Sequence, residues 1–336
     1  MYKSYLNKLL LTCFVFITFF AVMNYIVDPY GYNSREGKFI KNLSMFNKPH
    51  VASARLNSDG FYYLIGTSRV SRINPKIIED LTGKNTHNIK IDGSTLSENL
   101  FLAKEVKNRD KNFIYGFDAF SLNKNRLTHK EIYERYSLYK EEFNSTSLVT
   151  KYFNSDITIR SIQHILKLIK GGDFNKEFIN KNSQNSEFTI DDVAIDSGIS
   201  NNNNKKNFSD YTLYPDQSII ELAKVATKDD IFVVYPKHYY YYDLFSKNQD
   251  IEKKYLSALR LLAENTKAKV WVFYGKNYIT QNKNNFNDIG WHFKPKISNL
   301  IFSKIFNNHD SNDPFGFMLD DKVNDQLNGV KNHDKE

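Results

Sequence analysis

The hydrophobic positions of the chain follow two patterns, one long apolar run near the N-terminus and then a series of short alternating segments. Residues 9–27 form a run of 19 residues without a charge. A helix needs about 20 such residues to cross the hydrocarbon of a membrane. From about residue 60, short runs of branched and aromatic residues alternate with amphipathic stretches. This alternation predicts strands and helices in turn, as in βαβ units.

The apolar run predicts an N-terminal transmembrane anchor. Lys3 and Lys8 precede it, and Asp28 follows it. The positive-inside rule therefore places the N-terminus in the cytoplasm and the remaining chain outside. A cleaved signal peptide is the rival interpretation, but it needs a shorter apolar region and small residues at an A-x-A-like site. Residues 21–24 offer no such site, which favours an uncleaved anchor.

The alternating part predicts an α/β domain with a parallel sheet of about five strands between two layers of helices. Its turn and cap signals are specific: an Asn-Pro pair at 74–75 opens a helix that Gly83 ends, and Thr95 with Glu98 forms a capping box. Strands are predicted at 61–65, 87–91, 112–115, 231–235 and 269–274. Helices are predicted at 75–82, 96–108, 216–226, 251–263 and 295–306.

The alternation of strands and helices stops at residues 124–215, which are predicted to be a largely helical insertion. This segment has two helical patterns, at 130–143 and 159–170, followed by a polar stretch at 182–210 that is typical of a flexible loop. The predicted organisation is then a cytoplasmic N-terminus with its anchor at 1–30, an extracytoplasmic domain at 31–320 and a disordered tail at 321–336.

Charge and cysteine content exclude several classes of function. The chain has 46 basic and 38 acidic residues, and the surplus is spread along the sequence instead of forming one block. A diffuse surplus argues against a nucleic-acid partner. Cys13 is the single cysteine and lies in the apolar run, so the rest of the chain has no disulfide and no thiol nucleophile. No histidine and carboxylate cluster has zinc spacing, and we predict neither a metal nor a cofactor.

Candidate chemistry lies at the predicted strand ends. Ser68 follows the first strand in the turn Gly66-Thr67-Ser68-Arg69, at the edge where open α/β sheets bind ligands. Gly93 follows the second strand, Asp118 follows the third, and His292 precedes the last helix. A serine needs a base, a group that orients the base, and donors for the oxyanion. These positions offer candidates for each.

The order of these residues resembles the SGNH/GDSL hydrolase superfamily, and most of residues 60–306 take part in the resemblance. It is closest to the membrane-anchored bacterial branch that adds or removes O-acetyl groups on cell-surface glycans. The resemblance implies a flavodoxin-like, SGNH-type fold. It also implies that Ser68 is the nucleophile and one oxyanion donor, that Gly93 is a second donor, and that His292 is the base with Asp288 as its orienter.

Two positions depart from the family pattern. Asp118 stands where the family has an asparagine that completes the oxyanion hole, and a carboxylate donates only when protonated. Asp118 is therefore either held neutral or paired with Arg69, or else a neighbour such as Asn123 supplies the donor. Asp288 lies four residues before His292, where the family has three. A Ser–His dyad thus remains open.

Two further side chains are candidates for substrate binding. Arg69 binds a substrate carboxylate or phosphate unless it pairs with Asp118. His238, after the fourth predicted strand, is the rival base or lines the pocket.

Together these features predict a membrane-anchored extracytoplasmic serine esterase or O-acyltransferase. It acts through a seryl intermediate on acyl esters, above all acetyl esters, of cell-envelope glycans. Its expected partners are the bacterial inner membrane through residues 9–27, the glycan, and a membrane protein that donates the acyl group. The alternative is a catalytically inactive anchored protein that binds glycans or assists assembly.

Overall fold

The chain folds into two compact units, residues 1–59 with 137–184, and residues 60–136 with 185–336. The computed structural model describes residues 2–29, 52, 55–56, 60–91, 93–127, 137, 152–153, 155–170, 210–239, 249–287, 290, 292–307, 314–320 and 326–327.

Helices and strands alternate through most of the described residues. The helices are α1 (Tyr2–Val27), α2 (Pro75–Thr82), α3 (Leu96–Lys107), α4 (Ser155–Ile169), α5 (Asp216–Val225), α6 (Gln249–Asn265) and α7 (Pro295–Asn307). The strands are β1 (Tyr62–Ile65), β2 (Thr86–Asn88), β3 (Asn112–Gly116), β4 (Ile231–Val234), β5 (Lys269–Val272), β6 (Phe286–Asn287), β7 (His292–Phe293) and β8 (Phe317–Met318). Short 3₁₀ turns cover Ser68–Arg72, Ala119–Leu122 and Lys283–Asn285.

The first unit contains the apolar N-terminal helix α1. Its side chains are exposed over most of its length, and it is long and apolar enough to cross a membrane. This confirms the predicted apolar helix. Helix α4, from the predicted insertion, packs against α1.

The second unit is built on a six-stranded sheet in the order β2-β1-β3-β4-β5-β8. The first five strands are parallel, and β8 pairs antiparallel to β5 through Trp271 and Met318. The predicted α/β class with a mainly parallel sheet is therefore confirmed. Strand β8 was not predicted, because its two residues are too few to show an alternating pattern.

Helices cover both faces of this sheet, which explains why its strands are continuous apolar runs. All four residues of β4 are buried. On one face, Leu64, Ile114 and Val233 belong to a core cluster that also contains residues of α2 and α7. Toward the other face, Phe117 stacks on Tyr255 of α6, and helices α3, α5 and α6 pack together.

The predicted helix boundaries hold where the sequence carries cap signals. Helix α2 begins at Pro75 after Asn74, whose side chain accepts from the Lys76 N–H at 3.1 Å, and it ends at Gly83. Both hydrogen bonds of the Thr95–Glu98 capping box are present at the start of α3.

Strand β2 is shorter than the predicted 87–91. The chain nevertheless continues beside β1, because Ile89 N–H donates to Leu64 O and Ile91 N–H donates to Gly66 O, both at 3.0 Å. These two bonds account for the longer apolar run.

Some predicted features lie outside the described residues. They are the helix at 130–143 apart from Ser137, the loop at 182–210 apart from Asp210, and most of the tail at 321–336. Within that tail, the Gln326 side chain donates to Met318 O at 3.2 Å, and Leu327 is buried. The predicted helix at 159–170 is α4, which begins earlier, at Ser155.

Candidate active site

Ser68 begins a 3₁₀ turn that follows directly on the carboxyl end of β1. The turn leaves the strand through Gly66, which has φ +146°, a conformation that L side chains rarely adopt. A Cβ at Gly66 would lie 2.8 Å from Val70 Cγ2. Val70 is fully buried in the core, so the glycine lets the serine turn fold back onto the sheet.

Two side chains from other elements hold this turn in place. Asn88, at the end of β2, donates to Val70 O at 2.8 Å. Ser298, in α7, donates to Arg72 O at 3.1 Å. The backbone that carries Ser68 is therefore fixed from both sides.

His292 reaches Ser68 from a short hairpin. Strands β6 and β7 pair antiparallel, with Asn287 opposite His292, and β7 packs against the Ser68–Arg72 turn. The Ser68 Oγ lies 2.9 Å from His292 Nε2, although the two residues are 224 positions apart in the chain. The structure thus brings together the two residues predicted to be nucleophile and base.

His238 supports this hairpin and does not contact Ser68 in any described hydrogen bond. The backbone N–H of His238 donates to Gly290 O at 3.1 Å, and its imidazole ring lies 5.7 Å from the ring of Phe286. Its side chain is buried, with 1% exposure. These contacts favour a supporting role over the predicted substrate binding. The predicted orienter Asp288 lies outside the described residues.

Asp118 lies at the centre of a buried cluster of charges beside the serine turn. Its carboxylate forms an ion pair with Arg69, and Lys237 Nζ lies 3.6 Å from its Oδ1. The same carboxylate accepts from Thr67 Oγ1 at 3.2 Å and from the Phe120 N–H at 3.1 Å. Asp118 therefore contacts the residues on both sides of Ser68.

The charges in this cluster shift the pKa values of its members. Burial alone would raise the pKa of Asp118, but the charges of Arg69 and Lys237, with hydrogen bonds from Arg69 and Phe120, outweigh it and lower this pKa well below its ordinary value. Burial, assisted by the charge of Arg69, lowers the pKa of Lys237 to about 7, although Asp118 opposes the shift.

The ion pair of Asp118 with Arg69 bears on the alternatives left open by the sequence. A carboxylate in such a pair has no proton to donate, so this geometry favours the pairing over the predicted oxyanion-hole role of Asp118. The Arg69–Asp118 pair is the alternative that the structure contains. Arg69 is itself buried, so its contacts favour positioning over the predicted binding of substrate.

Asn123, the other suggested donor, has a structural set of contacts. Its Oδ1 accepts from the N–H groups of Asn125 and Thr212, at 3.2 and 3.1 Å, and its backbone bridges to Leu213. These bonds fasten the two ends of the predicted insertion to each other.

Gly93 lies in a turn beside the carboxyl end of β1. The turn is closed by a bond from Ser94 N–H to Ile91 O at 3.0 Å, and Ile91 N–H in turn bonds to Gly66 O. Gly93 has φ +63°, which suits a residue without a Cβ. The Arg126 side chain donates to the Gly93 carbonyl and thereby fixes this peptide.

Three residues that contact Asp118 or Gly93 were not predicted from the sequence. They are Thr67, Lys237 and Arg126. Lys237 carried a usable signal, because it is a lysine three residues after the end of a fully apolar strand. Thr67 and Arg126 carried none: a threonine in a turn is ordinary, and Arg126 is 33 residues from the glycine that it contacts.

No group of three or more histidine, cysteine, aspartate or glutamate side chains within the described part of the chain is arranged to hold a metal ion.

Comparison of the chain with protein-family models, with curated proteins and with solved structures finds no match. Function therefore rests on the geometry of the site itself.

Proposed function

We propose that this protein is a membrane-anchored, extracytoplasmic serine esterase or O-acyltransferase that works through a covalent seryl intermediate. The observation that carries the proposal is the 2.9 Å separation of Ser68 Oγ and His292 Nε2. Such a distance allows a histidine to take the proton of a serine hydroxyl directly. The hydroxyl is a weak nucleophile without that help.

The first half of the reaction transfers the acyl group to Ser68. His292 Nε2 takes the proton of the hydroxyl as Ser68 Oγ bonds to the carbonyl carbon of the ester. The tetrahedral intermediate then collapses, its bond to the alcohol oxygen breaks, and the alcohol leaves with the proton from His292. The product of this half is an ester on Ser68.

The second half removes the acyl group from Ser68. His292 takes a proton from water or from a sugar hydroxyl, whose oxygen attacks the seryl ester. Collapse of the second intermediate breaks the bond to Ser68 Oγ, which recovers its proton from His292. Water as the acceptor gives a hydrolase, and a sugar hydroxyl gives a transferase.

Two backbone N–H groups are the proposed oxyanion donors, those of Ser68 and Gly93. Their turns are adjacent, because Ile91 N–H bonds to Gly66 O. Loss of one such donor costs roughly 10²–10³ in kcat in other enzymes. In this proposal Asp118 acts through Arg69 and Thr67, as a positioning residue for the serine turn.

The topology supports this placement of the site. The order β2-β1-β3-β4-β5 is that of flavodoxin-like, doubly wound sheets, in which ligands bind at the carboxyl ends of β1 and β3. Ser68 follows β1 and Asp118 follows β3. This order supports our proposal that the second unit has a three-layer, flavodoxin-like fold, and the resemblance of the site motifs makes the SGNH type part of that proposal.

The cellular setting follows from α1 and from the resemblance of the site motifs. Lys3 and Lys8 at the start of α1 favour a single pass through the bacterial inner membrane with the second unit outside. The proposed substrates are acetyl esters of cell-envelope glycans, and a membrane acyl donor would serve the transferase reaction.

Hydrolysis of a chromogenic acetyl ester by the purified full chain tests the chemistry. We expect Ser68→Ala and His292→Ala to lose turnover. Ser71→Ala is the matched control, since it removes a hydroxyl from the same turn that bonds to Ser68 O. A fluorophosphonate probe should label wild type on Ser68. Equal rates in wild type, Ser68→Ala and His292→Ala would contradict the proposal.

One observation favours the alternative of an inactive glycan-binding or assembly protein. The ion-paired Asp118 leaves the site without the side-chain donor of the family pattern. Under this alternative, wild type turns over no ester, takes no fluorophosphonate label, and still binds acylated glycan.

A further inference from the structure

Helix α4 of the first unit carries an apolar stripe that no described element covers. Ile159, Ile162, Leu166 and Ile169 are 54%, 39%, 51% and 75% exposed. Their spacing of three, four and three residues puts them on one face of the helix. A contiguous exposed apolar face of this kind marks an interaction surface.

A second face of α4 is buried in its own unit. Ile157, Ser161 and His164 are almost completely inaccessible, and α4 packs against α1. The apolar stripe is therefore additional to the face that holds α4 in the fold, and it requires another partner.

The start of α4 is bonded to the end of the apolar run in α1. The Asn24 side chain donates to Tyr152 O at 2.7 Å and to Thr158 Oγ1 at 2.8 Å. Tyr152 OH donates to Asp28 at 3.4 Å, and its ring lies 5.4 Å from the ring of Tyr25. A buried polar residue such as Asn24 within an apolar helix requires these partners. They fix α4 at the level where α1 leaves the hydrocarbon.

We infer that α4 lies in the surface of the bilayer that α1 crosses, with the stripe of Ile159, Ile162, Leu166 and Ile169 inserted among the lipids. The neighbouring surface of α1 is itself apolar and exposed, so both helices present lipid-compatible surface from one unit. Exposed Lys170 ends the helix, where its ammonium reaches the headgroups while its stem stays apolar. The inference rests on the anchor and is independent of the chemistry of Ser68.

Spin labels in the full chain, reconstituted in phosphatidylcholine and phosphatidylglycerol vesicles, test this inference. Ile162→Cys and Leu166→Cys are made in a Cys13→Ser background. Asp80→Cys is the water-exposed control, because its side chain is 64% exposed on α2 of the second unit. The measured quantities are the collision rates of each label with oxygen, which dissolves in lipid, and with a water-soluble nickel chelate.

The expected result is a several-fold lower nickel accessibility and a higher oxygen accessibility at positions 162 and 166 than at position 80. Equal nickel accessibility at the three positions would overturn the inference. Spin–spin broadening at 162 that disappears on dilution with unlabelled chain would overturn it too, because a second copy would then cover the stripe.

The native cysteine separates failure of α4 from failure of the anchor. Cys13 is exposed on α1, and a label there reports whether α1 is in lipid. A lipid-exposed label at 13 with water-exposed labels at 162 and 166 overturns the inference alone. A water-exposed label at 13 overturns the anchor as well.

Discussion

Arg69 and Asp118 form a buried ion pair at the adjacent carboxyl ends of β1 and β3. These strands pair in register, with Ile65 opposite Tyr115. Arg69, four residues after Ile65, therefore meets Asp118, three residues after Tyr115. Because Asp118 also accepts from Thr67, one carboxylate fixes both neighbours of the serine. The ion pair therefore holds the turn of the proposed nucleophile, Ser68, from both neighbouring residues.

The ion pair predicts the effect of introducing an asparagine at position 118. Asp118→Asn leaves the buried guanidinium of Arg69 without its anion, and breaking a buried pair costs about 3–5 kcal/mol. We expect a loss of that order in the free energy of unfolding, measured by urea denaturation, together with a lower esterase rate.

The exposed pair of Lys76 and Asp80 provides the control. Asp80→Asn makes the same chemical change at the surface and should alter stability little. An Asp118→Asn variant that keeps its stability and turns over faster would instead show that position 118 acts as an oxyanion donor.

The contact of Ser68 and His292 predicts strongly non-additive kinetics. Each of Ser68→Ala and His292→Ala should lower kcat by roughly 10⁴–10⁶, because neither side chain works without the other. The double variant should be no slower than the slower single variant. Multiplicative losses in the double variant, measured with the acetyl ester, would argue that the two side chains act separately.

Lys237 predicts a rise of stability with pH. Its pKa is about 7 in the fold and about 10.4 when unfolded. Between these values the unfolded chain binds the extra proton, so the free energy of unfolding increases with pH. Relative to Lys237→Met, wild type should gain stability from about pH 7 to about pH 10. If urea denaturation gives wild type and Lys237→Met the same dependence of stability on pH, the lowered pKa of Lys237 is contradicted.

The position of Gly66 at the start of the serine turn should tolerate no side chain, because the φ angle and the contact with Val70 both exclude a Cβ. Gly66→Ala places a Cβ 2.8 Å from Val70 at φ +146°, and strain with overpacking should cost about 2–5 kcal/mol. Gly83→Ala is the control, because φ is +68° there and no atom lies within 4 Å of the added Cβ. If both variants lose the same stability, the contact with Val70 is unimportant.

The sequence predicted those parts of the fold that depend on local signals. Caps at Asn74 and Thr95 gave the helix starts, and apolar runs such as 231–235 gave the parallel strands. Pairing across the sheet has no such signal, which is why the two-residue strands β6, β7 and β8 were missed.

In the candidate site too, local signals predicted which residues lie there but not how their side chains pair. Strand ends pointed to Ser68, Gly93 and Asp118, because parallel strands bring their carboxyl ends to one edge. His292 was predicted from its position before the last helix. The sequence did not decide whether Asp118 is neutral or paired with Arg69, since burial and neighbouring charges determine whether a carboxylate is ionised. Lys237 contributes to that decision and lies over 100 residues away along the chain.

The hairpin that carries His292 has a consequence for the order in which the protein matures. Two strands of two residues each have no stability of their own. The hairpin residues Phe286 and Phe293 belong to the same core cluster as Ile297 and Ile301 of α7, and Ser298 of α7 also donates to the serine turn. The serine is synthesised 224 residues before its histidine. A chain still being synthesised would therefore carry Ser68 without its proposed base, and the pair would form only when α7 docks.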